Sequence, residues 1–471
     1  VTAEQFDLVI VGSGSGNSLI GPEMDDWRIA MVERSAFGGT CLNRGCVPSK
    51  MFIYAADVAD TVQHAGRYGV HAEFLGADWS AIVQRVFGRI DPIVESGRQY
   101  RHSNPNVTVF EGNAVFVGDR ELQVNGHRIR GEQVVIAAGA RSFIPDIAGI
   151  DTVPFHTSDT IMRIHHQPKH LVVLGGGFIA AELGHVFRSL GSKVTIVNRG
   201  HRLLGAEDHD ISERFTELAA ERFELVLGAH VERVHMTAAG IGVHAVNESG
   251  DHRIEGDALL VAAGRMANGD EIAATRTGAT VDERGNVLVD AYGRAAPGVW
   301  ALGDINGRHQ LKHMANGEAR AVRYNVSHPD DPMPFDTRPA PHAVFSSPQI
   351  GAVGLTERQA RDQASTKGAE VRVITYPYAA AAYGWALEDT SGFVKLIGDP
   401  ASRRLLGAHV IGYQASMLAQ QLTQGIHLGS TVDELALGQI WIHPALNEVV
   451  EQALLALIEA FDSPEVRATA P

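Results

Sequence analysis

Cysteine is nearly missing from this chain: its 471 residues hold two, Cys41 and Cys46. That excludes a disulfide-stapled scaffold and any Cys-rich zinc site, and it suits a reducing cytoplasm, where a surviving pair is catalytic, redox-sensing or metal-binding. The 22 histidines are scattered singly without ligand spacing, so no metal is expected. No apolar run approaches the length of a membrane span, about 20 residues. The first strand, Phe6 to Val11, begins without the charged and apolar regions of a leader peptide. Positive charge is short as well. Forty Lys and Arg against 55 Asp and Glu leave a formal charge of −15 with no basic run to offset it, which argues against nucleic acid or an anionic membrane as partner. No solenoid period is present.

What the chain has in plenty is glycine, 50 residues, which suits an α/β protein with many tight turns. Its length predicts two to four domains, and 45% hydrophobic residues can fill several cores. Both cysteines fall in one stretch, Gly38-Gly39-Thr40-Cys41-Leu42-Asn43-Arg44-Gly45-Cys46-Val47-Pro48-Ser49-Lys50. The run Met51 to Val62 predicts a helix beginning near Val47-Pro48, with proline tolerated in the first turn. Cys46 then sits at a helix N-terminus, where the macrodipole and free N–H groups favour a thiolate. A redox couple fits that field better than a structural staple.

Residues 6 to 33 read as strand, glycine turn, short helix, strand. Gly12, Gly14 and Gly16 form the turn, and Glu33 ends the second strand, about twenty residues on, where it can accept from a ribose hydroxyl. The third glycine of the usual fingerprint is replaced by Asn17, and Pro22 with Asp25-Asp26 implies an irregular helix. Residues 51 to 105 read as helical and 107 to 136 as short strands. A second unit of the same kind runs from Leu171 through Gly175, Gly177, Phe178 and Ala180 to the strand Lys193–Val197. Two such units imply two dinucleotides. Asn198-Arg199-Gly200-His201-Arg202 follows that strand, and two arginines with no acid favour a 2′-phosphate, hence NADP.

Two runs of similar shape, Val134 to Ala140 (with Gly139) and Leu259 to Arg265 (with Gly264), read as strands entering and leaving an inserted domain. Gly298 to Asp304 reads as a short strand that delivers Asp304 to a ligand, followed by a helix from about His313. Pro332-Met333-Pro334 marks a linker, after which 342 to 412 is β-rich and the rest helical. Near the end, His443-Pro444 with Glu448 five residues on is the pattern of a general acid oriented by a carboxylate, and equally of an exposed capping histidine.

Taken in order, the cysteine stretch, the two glycine loops, Gly303-Asp304 and the His443 to Glu448 segment resemble the flavoprotein disulfide reductases along essentially the whole chain. The resemblance implies a glutathione reductase-like α/β fold: two Rossmann-like dinucleotide-binding domains plus a C-terminal α+β dimerisation domain. The expected boundaries are 1–145 with 265–335 for FAD, 146–264 for NADPH and 336–471 for the interface. It also implies that Gly12, Gly14, Gly16, Glu33, Thr40, Ala114, Gly139, Asp304 and Ala315 meet FAD, and that Lys50 pairs with Glu182 beside the flavin. Gly175, Gly177, Phe178, Ala180, Arg199, Arg202 and Gly264 would meet NADPH, with Phe178 as an aromatic gate. Cys46 would be the thiolate in charge-transfer contact with the flavin and Cys41 the thiol that attacks the substrate. His443, oriented by Glu448, would reach in from the second subunit of a homodimer. Members with an extra thiol pair need a third cysteine, which this chain lacks. Asn17 to Asp26 contains no basic residue for an anionic peptide, so a neutral, polar small-molecule disulfide fits better. Lipoamide- or glutathione-type activity and a redox-silent flavoprotein acting as a binding module stand as alternatives.

Overall fold

The computed structural model describes residues 2–462. Three sheets organise them. In the first, of eight strands, six run in the order Arg294–Ala296, Val299–Ala301, His127–Ile136, Glu4–Val11, Ile29–Glu33, Val107–Glu111, parallel except for the antiparallel edge strand Arg294–Ala296, while Ala114–Gly118 and Glu121–Val124 branch antiparallel from His127–Ile136. The second half of its central strand, Leu8 to Val11, is apolar without alternation because both faces are covered there. Val9 and Val11 enter one core, while Leu8 and Ile10 enter another with Trp300 and Val322. Each such fully buried side chain contributes about 1.5–3 kcal/mol relative to an exposed one.

The second sheet is parallel, in the order Glu224–Val226, Lys193–Val197, His170–Leu174, Ala258–Val261. A three-stranded antiparallel layer, His230–Thr237, Gly240–Asn247 and Gly250–Gly256, covers one face. The third sheet is antiparallel throughout, with Gln349–Gly354, Arg404–Gly412 and Phe393–Asp399 at its centre. The helices Ala415–Leu428 and Glu448–Asp462 close its core. The whole is two Rossmann-like α/β units followed by an α+β unit. Among the described residues no helix is long and apolar enough to cross a membrane.

Helices that position the cysteines are α1 (Gly39–Arg44), α2 (Cys46–His64) and α3 (Trp79–Ser103). The helical run expected over 51 to 105 is broken at Gly69, whose φ of +75° suits glycine, and resumes where the Asp78 carboxylate accepts from Ala81 N at 3.0 Å. In the second unit α4 is Phe178–Ser189 and α5 is His209–Ala220; α6, Lys312–Ser327, follows the Asp304 turn.

Two expectations need correction. No α-helix follows the first glycine loop: the short, irregular helix expected there is reduced to two single 3₁₀ turns, Ser15–Ser18 and Pro22–Met24, with little macrodipole behind the loop. The strands Val134 to Ala140 and Leu259 to Arg265 are not themselves the crossings. They end at Ile136 and Val261 inside separate sheets, and the crossings are the next short strands, Ala140–Ser142 and Arg265–Ala267, which pair antiparallel.

Candidate active site

Gly45 lies between α1 and α2. A Cβ there would stand 2.9 Å from the Thr40 carbonyl oxygen and 3.3 Å from Cys41 Cα, so the residue's lack of a side chain lets the second helix start against the first. Both cysteines are free thiols, and each is the leading influence on the other's acidity. The S–H of Cys41 donated to Cys46 is the main reason the Cys46 thiol falls to about 7; burial opposes this, and the Lys50 ammonium one turn along α2 supports it. Cys41 moves the other way, pushed well above the ordinary thiol range first by that hydrogen bond and then by burial. The pair is therefore polarised, with Cys46 the more acidic thiol and Cys41 the less acidic one.

Lys50 Nζ donates to both carboxylate oxygens of Glu182, at 2.9 and 2.8 Å, and Glu182 also accepts from Phe345 N at 3.0 Å. These groups line a cavity of about 740 Å³ running from the first glycine loop to α4. Gly12, Gly14, Glu33, Thr40, Ala114, Gly139, Asp304, Ala315 and Phe178 line it too, with Arg44, Arg265 and Lys312 as further cations. Gly12 has φ +105°, and a Cβ on it would meet Ala137 O at 2.3 Å.

The lining fits FAD. Asp304 makes no side-chain hydrogen bond among the described residues, faces the cavity and has its pKa raised by burial, so it is an acceptor in want of hydroxyl donors such as those of a ribityl chain. The cations suit a pyrophosphate. Glu33 differs from expectation in its present partners: it accepts from Ser13 N and Oγ at 2.8 and 2.7 Å and from Ser35 N at 2.8 Å, bracing the glycine loop at the place where a ribose would bind. Gly16 is outside the cavity and packs under the loop against Ile10 and Ala137.

The second glycine loop lies outside this cavity. Gly175, at φ +120°, crosses Ala262, whose carbonyl oxygen a Cβ would meet at 2.3 Å; Gly177 and Gly264 face open space. Ala180 is buried, its small side chain letting α4 pack closely on the sheet. Arg199 and Arg202 are exposed and have no ion-pair partner among the described residues. Asn198 shapes the segment that carries them, donating to Gly200 O at 3.1 Å and Arg202 O at 2.9 Å.

His443 is elsewhere. Its Nδ1 meets Glu448 Oε1 at 2.6 Å while Glu448 Oε2 accepts from Ala445 N at 3.1 Å, and the His443 side chain is 73% exposed and does not line the cysteine cavity. The His443 contact, first among the causes, holds Glu448 below its usual carboxylate range. That carboxylate fixes Nδ1–H and leaves Nε2 facing outward.

Several supporting residues carry no motif. Asn17, the departure from the glycine fingerprint, accepts from buried Arg101 through its side chain at 2.6 Å and its carbonyl at 2.7 Å, tying the end of α3 to the loop. Glu318 on α6 accepts from Gly303 N at 2.7 Å and Asn306 Nδ2 at 2.9 Å, holding the Asp304 turn. Its only signal in the sequence is an acid on the apolar face of an amphipathic helix.

Known proteins share this arrangement. Residues 6–319 match the pyridine nucleotide-disulphide oxidoreductase family, and residues 340–454 match its dimerisation domain. The chain is 48% identical over 465 residues to mycothione reductase of Mycobacterium tuberculosis (strain H37Rv), covering 96% of this chain and 100% of that protein. It is 30% identical to dihydrolipoyl dehydrogenase of Chlamydia muridarum, covering 98% and 99%. Among solved structures, the HOCl-induced flavoprotein disulfide reductase RclA from Escherichia coli superimposes with a TM-score of 0.82 at 30% identity, covering 95% of this chain and 99% of that one. From its paired thiols to its dimerisation domain, the chain belongs to the pyridine nucleotide-disulphide oxidoreductase family.

Proposed function

We propose that the protein reduces mycothiol disulfide to mycothiol with NADPH, as one of a homodimer whose two active sites each draw on both subunits. The observation that carries the substrate is the 48% identity over nearly the full length of the mycobacterial mycothione reductase, against 30–31% for the mercuric, dihydrolipoyl and glutathione enzymes. Three features agree with it. No third cysteine is present to form a second thiol pair, and no basic residue lies in 17–26 to meet an anionic peptide. The segments Met51 to Ala56, Tyr383 to Asp389 and Ile442 to Gln452 also resemble mycothione reductase more than its relatives. The domain limits that go with this reading are 1–145 with 265–335, 146–264 and 336–471, of which residues 463–471 lie outside the described residues. A dithiol that cycles in this way suits a reducing cytoplasm.

Bound in the cavity, FAD supplies two-electron transfer from NADPH to the Cys41–Cys46 disulfide. The remaining chemistry belongs to side chains. Cys41 is held protonated, so it needs a base, and Nε2 of His443 of the partner subunit takes its proton as the sulfur attacks one sulfur of the substrate disulfide. The same imidazolium, stabilised by its carboxylate, returns the proton to the departing thiolate. Cys46, with its pKa lowered to about 7, then attacks Cys41 in the mixed disulfide as a thiolate, expels the second product as a thiolate that takes its proton from solvent, and closes the Cys41–Cys46 bond. Phe178, at the cavity edge, covers the approach of the nicotinamide.

Steady-state turnover with mycothiol disulfide, lipoamide and glutathione disulfide, each under NADPH and NADH, tests this reading. NADPH with mycothiol disulfide should give the highest kcat/KM. A clear preference for lipoamide with NADH would overturn it, and no turnover of any disulfide by folded, FAD-loaded protein would leave the binding-module alternative.

A further inference from the structure

The seam between α2, which carries Cys46, and α4, which follows the nicotinamide loop, is crossed by a series of polar links. Lys50 meets Glu182 at its start, and Gln63 Nε2 donates to Ser189 O at 2.7 Å at its far end. Between them lies His185, one turn beyond Glu182 and 1% exposed. Its Nε2 is 2.8 Å from Asp57 Oδ1, and its Nδ1 is 3.1 Å from Ser189 Oγ and 3.2 Å from Arg222 Nη2. A guanidinium only donates, so Nδ1 accepts, and the proton is assigned by this network to Nε2, which donates to Asp57. Arg222 is itself held by Asp60 of α2 at 3.0 Å. Every polar atom of the buried imidazole is thus engaged, and its partners lie on both helices and on the turn after α5.

The chemistry described above uses none of this. A buried, fully satisfied imidazole in a helix seam nonetheless fixes relative position, since a shift of either helix leaves a polar group unpaired at a cost of about 1–3 kcal/mol. We propose that His185 is a positioning residue for the redox centre: it fixes α4 against α2 so that Glu182 keeps the Lys50 ammonium beside Cys46. Lys50 is a long, partly exposed side chain, and Glu182 is the one carboxylate that pins its end among the described residues. The charged and titratable groups acting on Cys46 are Cys41, Lys50 and Asp304, and those around His185 are Asp57, Asp60 and Arg222.

The role rests on reading Cys46 as the flavin-side thiolate. The test follows the pH dependence of Cys46 alkylation by iodoacetamide in reduced, FAD-loaded dimer, with the modified peptide measured by mass spectrometry. Wild type should show a midpoint near 7; an ordinary thiol midpoint would overturn the reading of Cys46 itself. His185→Leu should raise the midpoint by about half a unit to one unit, a roughly three- to tenfold fall in the thiolate-to-thiol ratio. His185→Gln, which keeps a donor toward Asp57, should restore it. Asp57→Ala removes the acceptor from a partly exposed position without emptying the interior, and should move the midpoint the same way by less. Loss of thermal stability alone would accompany a merely structural histidine. An unchanged midpoint in His185→Leu and Asp57→Ala, or in Asp57→Ala alone should the leucine variant not fold, overturns the proposal.

Discussion

Gly45 and Cys41 are separated by so little that a single methyl group on the glycine would press on the Cys41 Cα at 3.3 Å and on the Thr40 carbonyl at 2.9 Å. The spacing of the two thiols therefore depends on a residue that carries no chemistry. Gly45→Ala should cost about 1–3 kcal/mol through overpacking and widen the gap between the sulfurs. Thermal unfolding and the rate at which diamide closes the Cys41–Cys46 disulfide will report both effects; unchanged closure would mean that the helix start adapts without moving Cys46.

Cys41→Ser should separate the two thiols' tasks. Flavin reduction by NADPH should persist while disulfide turnover is lost. Because the S–H of Cys41 is the leading cause of the low Cys46 pKa, the Cys46 alkylation midpoint should rise from about 7 toward the ordinary thiol range. Stopped-flow reduction and the alkylation profile give the two readouts, and retained turnover would refute the role given to Cys41.

A mixed dimer tests the shared site. Cys41→Ser and His443→Ala homodimers should each be impaired, the latter by roughly 10²-fold. A purified heterodimer of the two should recover about half the wild-type rate, because one of its two symmetric sites keeps both an intact Cys41 and an intact His443 from the other chain. If the sites were confined to single chains, the heterodimer would be as impaired as its parents.

Arg199→Ala and Arg202→Ala should each raise KM for NADPH on the order of 10- to 100-fold, the worth of a lost hydrogen bond to a charged group, with KM for NADH nearly unchanged. Equal effects on the two nucleotides would place both arginines outside the 2′-phosphate contact.

Lys395 tests stability. It is 1% exposed and meets Asp208 at 2.8 Å, Asp210 at 2.6 Å and Glu357 at 2.7 Å, joining the second unit to the third. Burial alone would raise the pKa of Asp208, yet Lys395 and Glu357 N hold it below the usual value. Lys395→Met should destabilise by about 3–5 kcal/mol, because it leaves buried Asp208 without its cation. Chemical denaturation will show it; a loss under 1 kcal/mol would mean that water replaces the ammonium.

What local motifs made legible in the sequence was placement: the cysteine stretch, Gly12, Gly14 and Asp304 do line one cavity, and His443 does meet Glu448, each set by spacing within a few residues. What spacing does not encode is who meets whom across the fold. Arg101 finds Asn17, Glu318 finds Gly303 and His185 finds Asp57 only after separate elements pack. The 3₁₀ turns after the first glycine loop were foreshadowed by Pro22 and Asp25-Asp26, residues that weaken a helix. The crossings were misplaced because Ala140–Ser142 and Arg265–Ala267 are three-residue strands, too short to show a period.

Those two crossings have a consequence for how the chain comes together. They leave the first sheet side by side, so the intervening unit begins and ends at one place and can close its own parallel sheet from nearby strands. The first sheet cannot: His127–Ile136 must wait for Val299–Ala301, with the entire intervening unit between them in the chain. Loop closure makes that pairing the slower one. In a chain synthesised from its N-terminus the second Rossmann-like unit can be complete while the sheet beside the paired thiols is still missing a strand.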